Sequence, residues 1–322
     1  MFSIFKANSH SHQQQRQITL NSFFDEHYFP HVTVTKRQTK HDWSVFNTHV
    51  RQQLGHYILH ELTNPVLDVW VREQVVKGYQ RSTINKHIHH MNRMLNLARH
   101  WGFIPMQNPT QANIKALILG DYRQRFLSKE EISTLLKHSK ASRHPFIYYI
   151  ISLLLNTGAR IGEVRTIKWC DIDMPKRIWT VPRSKNGRSR RIVLNSSAIK
   201  TLELARSRGS ELFIPQSAHD YVFINPTTNT AYQSFDAAWY KVRAAANLHD
   251  VRLHDLRHTF ASLLVNQGVS LYEVQKLLGH SSIQMTQRYA HLEPDRLHRR
   301  AELLSSIISE KVAQLQHSSA ED

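Results

Sequence analysis

The stretch His254-Asp-Leu-Arg-His258-Thr-Phe-Ala-Ser-Leu-Leu264 decides the reading of this chain. Its spacing predicts a helix. His254 lies three residues from Arg257 and four from His258, so all three share one face. Phe260, Leu263 and Leu264 supply the packed side.

Outward from this helix, Leu277-Leu-Gly-His280 follows an apolar stripe of Leu271, Val274, Leu277 and Leu278. Gly279 is the expected helix-ending residue, and His280 sits just past that end. Tyr289 comes nine residues later, on a short helix with Ile283 and Met285 that Ser281 or Ser282 can cap. Tyr272, Tyr240 and Tyr232 compete with it by residue type alone. Upstream, Phe146 to Leu155 is apolar on every side and reads as a buried helix. Thr157-Gly-Ala-Arg-Ile-Gly-Glu163 follows it directly. A glycine-broken turn there puts Arg160 at a helix end, where Glu163 can orient its guanidinium. Ile178–Val181 and Arg191–Leu194 read as strands around Lys185-Asn186-Gly187, since Asn-Gly supplies the positive φ angles of a type I′ turn. Arg183, Arg188, Arg190 and Arg191 crowd that hairpin. It reads either as a phosphate-gripping basic finger or as the seat of a lysine acting as an acid, and both can hold together.

These residue types suit one chemistry. Guanidiniums hold the non-bridging oxygens of a phosphate by paired hydrogen bonds, and a phenol can attack phosphorus to form a covalent intermediate. Fixed arginine charge does this without a metal, so neither metal nor cofactor is expected. A rival pattern exists: His254-x3-His258 with Asp255 between them is similar to the helical zinc motif. No third ligand is evident for it, and Asp is shorter than the usual glutamate base.

The chain has 322 residues, enough for two domains. Lys and Arg total 42 against 25 Asp and Glu, for a net charge of +17. That surplus favours a polyanionic partner, nucleic acid first. One cysteine, Cys170, excludes an intramolecular disulfide and a Cys-rich zinc site. No apolar run spans a bilayer, and the N-terminus has no secretory apolar region. A soluble protein acting where DNA is, the cytoplasm of a bacterium, is expected, with no membrane partner.

Residues 1–17 read as a disordered polar tail and 18–104 as a helical domain. Its elements are a stripe of Leu20, Phe23, Phe24, His27 and Tyr28, a helix over Trp43–Leu54, one over Leu67–Tyr79, and one from Ser82 to Trp101. The last carries Ile84, Ile88, Met91, Met94, Leu95 and Ala98 at helical spacing. Residues 105–126 read as a linker. Ser128 to Glu131 has capping-box form and opens a second domain over 127–322. Tyr221–Ile224 reads as a short strand. A final helix, Leu297 to Leu315, carries Leu303, Leu304, Ile307, Ile308 and Val312 on one stripe. The fold expected is a mainly α, α+β catalytic domain with a small antiparallel sheet, preceded by an all-α DNA-binding domain.

Taken in order and spacing, these motifs resemble the tyrosine recombinase, or phage integrase, family, over residues 127 to 293. The resemblance implies Tyr289 as the nucleophile that leaves a 3′-phosphotyrosyl link and a free 5′-hydroxyl. It implies Arg160 and Arg257 as the pair that neutralises the phosphate, and Lys185 as the acid protonating the departing 5′-oxygen. His254 is implied as the proton-transfer residue on the nucleophile side, His280 as a support for phosphate and tyrosine, and Glu163 as the acid that steadies the cluster. Lys86, Arg93, Arg99, Arg183 and Arg188 become expected DNA contacts. The implied partners are double-stranded recombination sites, a homotetramer formed in synapsis, and accessory DNA-bending proteins. Residues 1–17 are too few for a separate arm-binding domain, which favours a simpler recombinase or a chain shortened at its N-terminus. Within the family a chromosome-dimer resolvase or a transposon recombinase stays open. A type IB topoisomerase is a mechanistic neighbour, and a catalytically silent DNA-binding regulator is the alternative from another class.

Overall fold

The computed structural model describes residues 17–36, 38–104, 114–120, 123–182, 189–214, 216–217, 219–292, 302, 305, 308 and 309. The chain divides into two compact units, Met1–Asp121 and Tyr122–Asp322.

The described part of the first unit is helical. α1 (Leu20–Phe23), capped by Thr19, runs into a π-helical turn, Phe24–Tyr28, and on into α2 (Phe29–Thr35). Pro30 stands at the start of α2. It has no N–H to donate to residue 26, and the turn immediately before it is the widened one. α3 (Lys40–His49), α4 (Arg51–Leu54) and α5 (Asn64–Val76) follow. α5 starts earlier than its apolar pattern predicts because Pro65 fits the first helical turn. α6 (Arg81–His100) buries Ile84, Ile88, Met91, Met94, Leu95 and Ala98, the whole stripe expected of it.

Residues 114–120 fall in the segment read as a linker, yet they are tied to α6. Asn92 brackets the Ile114 backbone, donating to its carbonyl at 2.9 Å and accepting its N–H at 3.0 Å. Asn85 does the same for Leu117, at 2.9 and 2.7 Å. Each amide imitates a strand partner, so the helix surface satisfies an extended backbone.

In the second unit, α7 (Lys129–Lys140) opens on the expected box. The Ser128 hydroxyl accepts the Glu131 N–H and the Glu131 carboxylate accepts the Ser128 N–H. α8 (Ile147–Thr157) is the central buried helix, with Ile147, Ile150, Ile151, Leu153 and Leu154 inside the core. α9 (Ile161–Arg165) follows at once. A three-stranded antiparallel sheet comes next, β1 (Ile172–Asp173), β2 (Ile178–Val181) and β3 (Arg190–Val193), in that order. β2 and β3 pair Val181 with Arg190 and Ile178 with Val193. The Asn-Gly turn expected between them lies outside the described residues. α10 (Ser196–Glu211) packs on α8.

The strand expected over Tyr221–Ile224 is reduced to its end. β4 (Ile224–Asn225) pairs with β5 (Thr230–Ala231), and Tyr221 makes only an isolated bridge to Lys168. α11 (Asp236–Ala245), α12 (Leu253–Gln267) and α13 (Leu271–Leu278) complete the main body. A second, smaller core joins Ala261, Val265, Val274, Leu278 and Tyr289. Phe260 and Leu264 only flank it, half-buried. The fully buried side of α12 is Leu256, Ala261 and Val265, not the side expected. The helix also has to bury Asp255 and Arg257, which turns it toward its polar residues. Among the described residues no helix is long and apolar enough to cross a membrane. Most of the expected Leu297–Leu315 stripe lies outside the described residues, and Ile308, which does not, is exposed.

Candidate active site

α8 ends at Gly158 in the left-handed region, with φ of 60°. Two constraints meet there. An L side chain is strained at that φ, and a Cβ would lie 2.4 Å from Phe260 Cδ1. The turn delivers Arg160 to the N-cap of α9. Glu163 accepts the Arg160 N–H at 2.8 Å on one carboxylate oxygen and its Nη1 at 3.0 Å on the other.

Arg257 reaches the same turn from α12. It is 3% exposed. Its Nη1 donates to the Gly158 carbonyl at 2.5 Å and its Nη2 to the Leu278 carbonyl at 2.8 Å. Both acceptors are carbonyls at helix ends, where α8 and α13 leave acceptors without intrahelical partners. A third guanidinium joins from β3. Arg190 forks onto Glu163, with Nε at 3.0 Å and Nη2 at 2.6 Å, and its Nη1 donates to Leu278 at 2.9 Å. Arg190 therefore ties the sheet, the start of α9 and the end of α13 together. By composition it is only one cation of a crowded hairpin. Strand parity marks it: Arg190 shares the inward face with buried Ile192, while Arg191 and Val193 point out.

In this cluster, among the described residues, three guanidiniums meet one carboxylate. Burial works against the charge of Glu163, but hydrogen bonds and attraction from Arg190 outweigh it and hold its pKa below the usual range. Burial, then repulsion from Arg160 and Arg190, brings Arg257 down to about 9. It remains cationic at neutral pH. The cluster thus carries two positive charges more than it neutralises internally, which is the electrostatic form of an anion site.

Tyr289 lies just beyond the short helix α14 (Gln284–Gln287), in the turn into Ala290–Leu292. This differs from the serine-capped helix expected to contain it. The N-cap position of α14 falls on Ile283, whose apolar side chain cannot accept a hydrogen bond, and Ser282 donates to Gln284. Tyr289 is 4% exposed. Its hydroxyl lies 2.6 Å from His258 Nδ1. Burial pushes the phenol up to about 12, with Arg288 and Arg257 pulling the other way. Burial, His254 and Arg288 lower His258 to about 4, so its ring is neutral at pH 7. His254 is exposed and packs edge-on against His258, with ring centroids 4.9 Å apart. His280 follows the left-handed Gly279 at the end of α13, and its Nδ1 lies 2.8 Å from the buried Thr286 hydroxyl. Burial, then Arg257 and Arg160, lowers His280 to about 3.

The fold therefore gathers Arg160, Glu163, Arg257, His254, His280 and Tyr289 into one part of the second unit, and it adds Arg190 and His258. Lys185, Arg183 and Arg188 lie outside the described residues. Among the described residues no group of three or more His, Cys, Asp or Glu side chains could hold a metal ion, so the His254–His258 pair has no third ligand there. In the first unit, Lys86 and Arg93 lie exposed on one face of α6. Arg93 lines a groove of about 600 Å³ with His31, His89, Asn92, Asn96 and Leu97. Arg99 is half-buried, with Nη1 on Asn96.

The model of the Phage integrase family matches residues 125–296. The integrase of Salmonella phage P22 is 31% identical over 183 residues, which are 52% of this chain and 45% of that protein. The chain thus spans under half of that relative's length. Tyrosine recombinase XerC of Staphylococcus carnosus is 30% identical over 235 residues, covering 69% of this chain and 74% of that one. Among solved structures, the Tn1549 transposon integrase in complex with transposon right end DNA superposes with a TM-score of 0.75 at 19% identity. That match covers 89% of this chain and all of that one. A lambda integrase tetramer bound to a Holliday junction gives 0.66 at 19% identity, over 85% and 77% of the two chains. At such identities the structures speak for the fold.

Proposed function

The chain belongs to the phage integrase family, and from that premise we propose that it is a site-specific tyrosine recombinase acting on duplex DNA. One observation carries the reading: the buried Tyr289 packs in one small core with Leu278, whose carbonyl receives Arg257 and Arg190 of a guanidinium cluster with two uncompensated charges. A phosphodiester fits that surplus. In the proposed reaction Arg160 and Arg257 hold its non-bridging oxygens and stabilise the charge that builds on them. The Tyr289 oxygen bonds to phosphorus as the bond to the 5′-oxygen breaks. The phenol gives up its proton, and the departing oxygen takes one from an acid, the role proposed for Lys185. A 3′-phosphotyrosyl diester replaces the original diester. The linkage energy is kept, and a free 5′-hydroxyl can reverse the step on a new strand without ATP.

His280 is proposed to steady the phosphate. If its Nδ1 takes the Thr286 hydroxyl proton, Nε2–H is left as a donor. Glu163 holds Arg160 in place. The basic surplus grips the DNA backbone and makes binding salt-dependent, with Lys86 and Arg93 as phosphate contacts of the first unit and Arg99, Arg183 and Arg188 as further contacts. The reading extends to a homotetramer in synapsis, accessory DNA-bending proteins and a bacterial cytoplasmic, nucleoid-associated setting. The reaction proposed is integration of a mobile element, with dimer resolution or transposition as its family alternatives.

A nicked suicide duplex carrying the repeats that flank the gene tests this. The expected result is a covalent protein–DNA complex that Tyr289→Phe abolishes. Retention of the duplex with no covalent complex in the wild type would overturn the reading in favour of a silent regulator.

A further inference from the structure

We propose that His258, rather than His254, accepts the phenolic proton as Tyr289 attacks; this rests on the recombinase reading above. The geometry separates the two imidazoles. His258 Nδ1 is 2.6 Å from the Tyr289 hydroxyl, within reach of direct proton transfer. His254 is solvent-exposed, and its closest described aromatic neighbour is His258 itself. The bond to His258 is the only hydrogen bond of the Tyr289 hydroxyl among the described residues. In the proposed arrangement the hydroxyl donates and Nδ1 accepts, and the ring carries its own proton on Nε2; the opposite tautomer would donate from Nδ1 to the phenol oxygen.

Seclusion makes the acceptor necessary. Tyr289 belongs to the small core of Ala261, Val265, Val274 and Leu278, where bulk water is not at hand to take the proton. With its pKa near 12, roughly one phenol in 10⁵ is ionised at pH 7. In the step, the phenol O–H breaks, the O–P bond forms, and the proton passes to Nδ1, giving an imidazolium. On religation the imidazolium returns it to the departing phenolate.

The groups facing His258 suggest how the base is controlled. On its own helix these are His254, Asp255 and Arg257; from the segment packed against it they are Arg288 and Tyr289. Burial first, and then His254, Arg288 and Arg257, keep the ring a weak base in the free protein. A phosphate entering among the guanidiniums offsets their field and raises the basicity of His258. The base thus strengthens when substrate arrives, which limits idle ionisation of the nucleophile.

The test is single-turnover cleavage of the suicide duplex by His258→Ala and His258→Gln. His258→Ala is expected to cleave at least 100-fold more slowly, in keeping with the loss of a general base. Its rate should climb with pH up to pH 9, where the wild-type rate is flat between pH 6 and 8. His258→Gln keeps an acceptor that cannot take a proton, and is expected to stay as slow as His258→Ala. Wild-type rates in His258→Ala, an unchanged pH profile, or full recovery by His258→Gln would each overturn the proposal.

Imidazole ¹⁵N spectra of the unliganded protein give a second readout. The expected pattern is an Nε2-protonated His258 whose Nδ1 resonance shifts in Tyr289→Phe. An Nδ1-protonated ring, or no shift, overturns the proposal even if a substituted protein folds poorly. If the wild type forms no covalent complex, the recombinase reading falls, and these spectra still decide whether the proton is shared as described.

Discussion

The Asp42 cluster of the first unit and the Glu163 cluster of the second are built from similar parts and end with opposite balances. Asp42 is 4% exposed. It accepts from the Tyr28 hydroxyl at 3.0 Å and from Lys36, and His90 Nδ1 stands 3.5 Å away. Burial and Asp42 itself hold the Tyr28 phenol un-ionised. Burial outweighs the pull of Asp42 and brings His90 down to about 4, leaving it neutral. One anion therefore meets one cation by direct contact. Glu163 faces Arg160, Arg190 and, across Leu278, Arg257, so that cluster is left two charges positive. The contrast separates a polar network whose charges pair off from one that keeps a surplus of positive charge.

Removing each carboxylate is the strongest way to break the comparison. Glu163→Ala leaves Arg190 and the nearly inaccessible Arg257 without their anion, and should cost about 3–5 kcal/mol of unfolding free energy. Asp42→Ala should cost less, about 1–3 kcal/mol, because Lys36 is 22% exposed and can turn to water. Urea midpoints measure both. Millimolar inorganic phosphate should restore part of the loss in Glu163→Ala and none in Asp42→Ala. Equal rescue of the two would erase the distinction.

Much of this is legible in the sequence alone. The α6 stripe, the Ser128 box and the paired strands of the hairpin follow from period, capping and turn chemistry, which are local properties. Arg160, Glu163, Arg257 and His280 can be named because each sits at a helix start, face or end that local spacing predicts. Arg190 is hidden for a physical reason. Hairpin composition offers several equivalent cations, and only the pairing register selects the one turned inward with Ile192. His258 is hidden differently: it shares a helical face with His254, and a single helix cannot say which ring meets a tyrosine brought in from elsewhere. The Asp42 network joins residues from three helices, and no local pattern links Tyr28, Lys36 and His90.

Acid should sharpen the comparison next. His87 and His90 are buried, and burial lowers both to about 4. Their unfolded value is near 6.5, so between about pH 6.5 and 4 the unfolded chain binds protons that the folded unit refuses. Stability is then full above pH 6.5 and lost as pH falls toward 4, by about 3 kcal/mol per imidazole. His258 and His280 are half-buried and shifted the same way, so the sign is the same and solvent screening makes the loss smaller. Hydrogen exchange at pH 7 and 4.5 resolves the units. Phosphate should blunt the acid loss in the second unit only, because a bound anion raises the pKa of His258 and His280 but not of His87 or His90.

The smallest effect expected comes from two glycines that share a backbone conformation and differ in surroundings. Gly78 has φ of 77°, and a methyl placed on its Cα would meet nothing within 4 Å. Gly279 has φ of 61°, and such a methyl would lie 2.8 Å from both Cδ and Nη1 of Arg190. Gly78→Ala should therefore cost only the left-handed backbone penalty, about 1 kcal/mol. Gly279→Ala carries that penalty and also pushes Arg190 off Glu163 and the Leu278 carbonyl, for a total of about 2 kcal/mol. The two melting curves give the difference directly. If it comes from the arginine, Gly279→Ala should also weaken the stabilisation by phosphate, and Gly78→Ala should leave it intact. Equal costs with equal phosphate responses would mean that Arg190 moves aside freely, and that the fork joining β3, α9 and α13 does not hold the anion site in shape.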